Sequence, residues 1–199
     1  MRILIITHPR SGGKSLLDWI SKETGYHGYH EPALDDKDLM NIILTRDNIL
    51  VKIFPFFLNE HKINIQEFSK TFDKVICHVR ENILDVAISL SHANQRDDEN
   101  HTIWHNTYQV DEEWIKKNKS NIDNFTYHTE LSYNQIMKLD IDCLRTTYDG
   151  IYENKTDINK LISYLEIPKP LHLDRLDKRH RLRNGDVGDK DYKINRTLI

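Results

Sequence analysis

The first 25 residues restrict the fold of this chain more than any other segment. Arg2–Thr7 is a continuous apolar run typical of a buried strand, and residues 15–24 carry apolar side chains at helical spacing before Gly25. Between them lies a polar turn with Gly12 and Gly13, whose backbone N–H groups can surround an anion at the amino end of the helix. This strand–loop–helix unit predicts a phosphate-binding loop in an α/β fold.

The rest of the chain repeats the alternation of strand and helix. Further strand patterns lie at residues 48–54, 74–79 and 143–148, with a weaker one at 26–30. Helical patterns lie at residues 65–72, 82–93 and 157–165. Such alternation predicts a three-layer fold, in which helices cover both faces of a central parallel sheet.

Length and composition narrow the class of protein. The 199 residues predict a single domain, 1–199. The formal net charge of −3 gives no basic surface suited to nucleic acid, and no apolar run is long enough to span a membrane. Cys77 and Cys143 lie in apolar runs without metal-type spacing, so we expect buried thiols in a reducing compartment. We also expect a cytoplasmic protein without a secretory leader.

The loop itself is compatible with two kinds of phosphate site. Gly13, Lys14 and Ser15 match the last three positions of a Walker A loop, but His8 stands where its first glycine should be. The segment from Thr7 to Gly12, T-H-P-R-S-G, resembles instead the T-x-P-[KR]-S-G loop of the P-loop sulfotransferase family. That resemblance implies a central parallel sheet of about five strands. It also implies that the donor 3′-phosphoadenylyl sulfate (PAPS) is held by Arg10, Ser11, Gly12, Gly13, Lys14 and Ser15.

Two later segments resemble the motifs with which this family binds the 3′-phosphate of the donor. Arg80 follows a strand and Ser89 lies on the next helix, nine residues on, where many members have eight. Near the end of the chain, R-N-G-D-V-G-D is similar to the family's R-K-G-x-x-G-D and contributes Arg183, Asn184 and Gly185. Asn184 replaces a lysine. A carboxylate facing a phosphate would be repulsive, so we expect Glu81 to point away from it.

Candidate catalytic residues come from the loop and from the weak second strand. The resemblance implies that Arg10 acts at the bridging oxygen of the donor, and Lys14 lies near enough to neutralise the same group. Phe54 occupies the position of the histidine base of cytosolic members and cannot accept a proton. Other branches use a glutamate after the second strand, which indicates Glu31 as base, with His30 as the next candidate.

Residues 96–113 are polar and interrupt the alternation, as a lid or acceptor-binding insertion would. His101 and His105 have the i, i+4 spacing of a metal pair but lack an accompanying glutamate, so we interpret them as surface residues. No metal is expected, because sulfuryl transfer needs none.

The resemblance therefore implies a small sulfotransferase, closer to bacterial or viral members than to the His-base type. It would use PAPS, release adenosine 3′,5′-bisphosphate (PAP) and act on a hydroxyl or amine of a small-molecule or carbohydrate acceptor. Two alternatives stay open: a P-loop kinase using Mg-ATP, and a catalytically degenerate nucleotide-binding protein. The sequence identifies neither the acceptor nor the oligomeric state, and it indicates no nucleic-acid or membrane partner.

Overall fold

Five parallel strands form the centre of the fold in the order β2-β3-β1-β4-β5. The computed structural model describes residues 1–98 and 112–176. The strands are β1 (Arg2–Thr7), β2 (His27–His30), β3 (Ile49–Ile53), β4 (Lys74–Val79) and β5 (Leu144–Thr147). All five strand predictions are confirmed, with ends that differ by at most one residue.

Helices flank both faces of this sheet and confirm the predicted α/β class. In chain order they are α1 (Gly13–Thr24), α2 (Lys37–Thr45), α3 (Pro55–Glu60), α4 (Ile65–Ser69), α5 (Ile83–Asp98), α6 (Glu112–Lys117), α7 (Lys119–Met137) and α8 (Ile158–Tyr164). A π-helical turn (Asp149–Glu153) follows β5, and a 3₁₀ turn (Leu173–Leu176) lies near the end of the described residues.

β1 is the central strand and is buried on both faces, which explains its continuous apolar run. Ile3 and Ile5 pack into one core with α1 and α8, whereas Leu4 and Ile6 pack into a second core with α2, α3, α4 and α7. Because alternate side chains of a strand point to opposite faces, one six-residue segment supports both layers of helices.

The first helix begins two residues earlier than the sequence pattern indicated. Gly12, with φ of +83°, forms its N-cap, and α1 starts at Gly13 rather than residue 15. Glycine has a poor intrinsic helix propensity, so the sequence pattern did not place Gly13 in the helix. In the structure the turn needs a left-handed residue, and the helix follows that residue directly. α4 also ends earlier than predicted, at Ser69 rather than residue 72.

Four helices were not predicted, and α7 is the longest of them. Of its nineteen residues only Ile122, Thr129 and Ile136 are buried, at intervals of seven. A stripe this narrow gives little apolar periodicity. α5 extends to Asp98 and α6 starts at Glu112, so helices include the first three and the last two residues of the insertion predicted at 96–113; residues 99–111 lie outside the described ranges.

The two cysteines are both free thiols, as expected, but only Cys77 is buried. Cys143 is half-buried because it precedes β5 at the edge of the sheet, so the prediction of two buried thiols was wrong for it. Within residues 1–98 and 112–176, no helix is long and apolar enough to cross a membrane.

Gly12 and Gly25 both have left-handed backbones, so alanine substitutions at these two positions can measure how tightly the loop packs. An added Cβ at Gly12 would lie 2.6 Å from Cε2 of buried Tyr152, whereas at Gly25 it would meet nothing within 4 Å. We expect Gly25→Ala to lower the free energy of unfolding by about 1–2 kcal/mol, the cost of the backbone conformation alone. Gly12→Ala should cost roughly 3 kcal/mol or more because overpacking is added. Urea denaturation of both variants measures the difference, and equal losses would contradict tight packing of the loop on Tyr152.

Candidate active site

A cleft of about 370 Å³ opens at the carboxyl ends of β1, β3 and β4. The connection after β1 leads to β2 on one side of the sheet, and the connection after β4 leads to β5 on the other side, which leaves a crevice at the carboxyl ends of these two neighbouring strands. Ligands of open parallel sheets bind at this position. The predicted loop lies in the middle of the cleft, with the end of β3 on one side and the end of β4 on the other.

The loop is held to the protein body from below. The Tyr152 hydroxyl donates to the carbonyl of Gly12 at 2.8 Å. The Ser11 hydroxyl donates to the carbonyl of His8 at 2.8 Å and also contacts the Thr7 hydroxyl. Because Ser11 is buried and its hydroxyl is used inside the loop, the prediction that Ser11 contacts the donor rests on its backbone N–H.

A second buried side chain, His78, supports the loop from β4. Its Nε2 lies 2.8 Å from the carbonyl of Ser11 and its Nδ1 lies 2.9 Å from Oγ1 of Thr146. A carbonyl can only accept, so Nε2 donates and Nδ1 accepts. Burial lowers the pKa of His78 to about 4, which keeps the imidazole neutral in this arrangement. No motif of the sequence pointed to His78, although a histidine in an otherwise apolar strand is a signal for it.

On the β3 side of the loop, Glu31 and Lys52 form an ion pair. The register of β2 on β3 aligns His30 with Lys52, and the backbone N–H of Glu31 donates to the carbonyl of Lys52 at 2.9 Å. The Lys52 ammonium lies 3.5 Å from the centroid of the Phe54 ring. His30 Nε2 lies 3.3 Å from Oε1 of the same glutamate, so both candidate bases share one corner of the cleft.

In this corner the cation is buried, whereas the side chains of Glu31 and His30 are reached by solvent. Lys52 is 3% exposed, and burial lowers its pKa to about 8, although the hydrogen bond to Glu31 acts in the opposite direction. The pKa of His30 is also lowered, first by burial and then by the charge of Lys52, so its imidazole is neutral near pH 7. Glu31 therefore carries a carboxylate next to a buried cation, and His30 offers a neutral ring beside it.

On the β4 side, Arg80 and Ser89 flank the cleft. The Arg80 guanidinium donates to Oδ2 of Asp85 at 3.2 Å and lies 4.5 Å from the centroid of the Tyr148 ring. Arg10 reaches over from the loop, where its Nε donates to the Ser89 hydroxyl at 2.8 Å. Arg10 thus faces this side of the cleft, away from Lys52. Glu81 is exposed.

The charges that line the cleft favour an anion. Among its described lining residues, four are cations and Glu31 is the one carboxylate; the cations are Arg10, Lys14, Lys52 and Arg80. Neighbouring parallel strands are about 4.8 Å apart, so the ends of β3 and β4, on either side of β1, are separated by roughly 10 Å. The cleft therefore presents two cationic corners on either side of one glycine loop.

The structure brings together most residues that the sequence singled out. Nine of them line the cleft: Arg10, Gly12, Gly13, Lys14, Ser15, His30, Glu31, Arg80 and Ser89. Arg183, Asn184 and Gly185 lie outside the described residues, as do His101 and His105, so those predictions stay predictions. Within residues 1–98 and 112–176, no group of three or more His, Cys, Asp or Glu side chains is arranged to hold a metal ion.

Comparison with solved structures shows that the fold is like that of P-loop sulfotransferases. The mouse sulfotransferase SULT7A1 complexed with PAP matches with a TM-score of 0.54 and 16% identity, over 94% of this chain and 63% of that protein. This chain thus spans less than two thirds of the length of that sulfotransferase. The YorR protein from Bacillus subtilis, in complex with phosphorylated GDP, matches with a TM-score of 0.47 and 16% identity, over 82% of this chain and 96% of that one. No family model and no curated protein sequence matches.

The lowered pKa of Lys52 predicts how anion binding depends on pH. Its ammonium is charged below about pH 8 and neutral above it, so we expect the affinity of the cleft for an anion such as inorganic sulfate to be level below pH 8 and to fall about tenfold by pH 9. Lys52→Met, which keeps the stem without the charge, should bind weakly at every pH and lose this step. Titration calorimetry between pH 6.5 and 9.5 measures both.

Lys74→Met is the matched control, because Lys74 lies at the opposite end of the sheet, where it pairs with Glu166. It should keep the wild-type pH profile. A step near pH 8 that survives Lys52→Met would show that another group titrates.

Proposed function

We propose that this chain is a sulfotransferase that transfers a sulfuryl group from PAPS to a hydroxyl or amine of a small-molecule or carbohydrate acceptor. One observation carries the proposal. A glycine loop at a helix start lies between an arginine–serine corner (Arg10, Arg80 and Ser89) and a carboxylate–ammonium corner (Glu31 and Lys52). A donor with two separate anionic groups and an acceptor that must lose a proton needs these three parts.

The residues present fit such a donor. The backbone N–H groups at the start of α1 and the charge of Lys14 suit the phosphosulfate. Arg80 and Ser89 suit the second phosphate, because a guanidinium binds phosphate in a bidentate fashion and a hydroxyl can donate to the same group. When bound, the donor supplies a sulfuryl group linked to phosphate through a bridging oxygen.

The chain's own groups would then accept one proton and stabilise one developing negative charge. Glu31 accepts the proton of the acceptor hydroxyl or amine as that atom bonds to sulfur. The bond from sulfur to the bridging oxygen breaks, and its electron pair leaves with PAP. Lys52, between Glu31 and the loop, and Lys14 offset the charge that gathers on the leaving oxygen. Arg10 reaches from the same loop to the second anionic corner and helps to hold the donor at both ends.

The first test is metal-independent binding of PAP. We expect calorimetric titration to give a micromolar or lower Kd for PAP, unchanged by EDTA, and Arg80→Ala to weaken it by about 100-fold because a charged hydrogen-bonding partner of phosphate is lost. Arg46→Ala is the matched control, since Arg46 is exposed at the end of α2. Equal affinities of wild type and Arg80→Ala would contradict the proposed donor site.

The second test separates proton transfer from binding. Glu31→Gln should lower the rate of PAP release from PAPS, measured with a panel of simple phenols, sugars and amines, by about 10²–10⁴-fold, the usual share of a general base. Its Kd for PAP should stay within about threefold of wild type.

Glu60→Gln, an exposed change at the end of α3, is the control. Thermal melting of Glu31→Gln checks that the protein stays folded when Lys52 has lost its carboxylate partner. Full activity of Glu31→Gln would remove Glu31 as base and favour His30. A wild type that binds PAP but turns over none of the acceptors would favour a degenerate nucleotide-binding protein.

A Mg-ATP kinase is the second candidate. Gly13, Lys14 and Ser15 keep the end of a Walker A loop, and the Ser15 side chain lines the cleft, where a Mg²⁺ ligand would be needed. Tighter binding of Mg-ATP than of PAP, with no effect of Arg80→Ala, would favour this candidate. The absence of nucleic-acid and membrane partners and the cytoplasmic location are part of the proposal.

A further inference from the structure

The side chain of His8 links the loop to the residue that follows β4. His8 is 1% exposed, and its Nε2 accepts a hydrogen bond from the backbone N–H of Arg80 at 2.9 Å. Nδ1 lies 3.0 Å from the carbonyl of Pro9 and therefore carries the proton of a neutral ring. Burial lowers the pKa of His8 to about 4, consistent with this form.

The bond replaces one that the sheet can no longer make. β1 pairs with β4 up to Thr7 and His78, after which the chain turns into the loop. The carbonyl of His8 points into that loop, where it accepts from the hydroxyls of Ser11 and Thr7 at 2.8 and 3.3 Å. Arg80 extends past the end of the ladder, and the imidazole supplies the acceptor for its N–H.

This contact fixes the point from which the Arg80 side chain starts. The guanidinium is then oriented by the Asp85 carboxylate and the Tyr148 ring. A buried N–H without an acceptor is unfavourable, so removing the imidazole acceptor favours a shift of the whole turn after β4. A shift of about 1 Å at the backbone is enough to spoil a bidentate contact.

We propose that His8 is a positioning residue, which holds the backbone of Arg80 so that its guanidinium meets the second phosphate of the nucleotide. The inference rests on the proposed function, and it assigns to His8 an effect on the selectivity for a 3′-phosphate that acts through the backbone of Arg80. His8→Gln places an amide oxygen where Nε2 of the imidazole lies. His8→Leu keeps the shape without the acceptor, and the side chain that His8→Asn introduces is too short to reach the backbone N–H of Arg80.

The test compares the affinities for PAP and for adenosine 5′-monophosphate, which lacks the 3′-phosphate. We expect wild type to favour PAP by about 100-fold, His8→Leu and His8→Asn to reduce this ratio about tenfold or more, and His8→Gln to keep it within about threefold. In ¹⁵N-labelled protein the Arg80 amide should exchange with solvent faster in His8→Leu than in His8→Gln.

Each outcome decides between the two levels of the proposal. An unchanged ratio in both His8→Leu and His8→Asn would overturn the positioning role while leaving the donor site intact. A loss in His8→Gln as large as in His8→Leu would also overturn it, because the acceptor would not be what matters. A wild-type ratio near one would overturn the proposed function, and the positioning role with it.

Discussion

The structure depends on how backbone hydrogen bonds are satisfied at the point where the central strand β1 ends. β1 has partners on both sides, so its end at Thr7 leaves the neighbouring strand β4 with backbone groups that extend beyond it. Side chains of the loop and of β4 satisfy these groups and one another: His8 accepts from Arg80, and His78 donates to Ser11. Because buried polar groups must be paired, the loop has one rigid arrangement, and that arrangement forms the base of the cleft.

The charges of the cleft are arranged on this rigid base. Each of two cations is held by a carboxylate, Lys52 by Glu31 and Arg80 by Asp85, and each also lies over an aromatic ring. The pairing makes the burial of these cations tolerable, since an unpaired buried charge is strongly unfavourable. The two carboxylates differ in access: Glu31 lines the cleft and Asp85 does not. A ligand anion therefore meets both cations, but only one carboxylate is available to accept a proton.

The sequence predicted the parts of this protein that follow from burial on both sides. β1 and β4 are continuous apolar runs, and their residues were identified almost without error. α7 was not predicted, because its three buried positions lie seven residues apart and leave its sequence polar on nearly every face. The loop, Arg80 and Glu31 were found by their resemblance to the motifs of a known family, whereas the ion pair of Glu31 with Lys52 was not predicted. That pair depends on the register of β2 on β3, and the register of parallel strands joined by a long crossover cannot be read from the sequence.

Backbone strain marks the same two corners of the cleft. Arg10 and Glu31 have φ angles of 58° and 52°, in the left-handed region that side chains other than glycine rarely adopt. Each such residue costs of order 1–3 kcal/mol and persists only where surrounding contacts impose it. For Glu31 those contacts are the backbone bond to Lys52 and the ion pair with the same lysine; for Arg10 one of them is the bond to Ser89. The turn at each position aims a long charged side chain back across the end of its strand into the cleft. Four other described non-glycine residues, Asn48, Lys62, Lys155 and Glu166, share this backbone conformation without lining the cleft, so strain by itself does not distinguish a site. What distinguishes Arg10 and Glu31 is that the strained turn directs a charged side chain into a cleft whose other charges favour an anion.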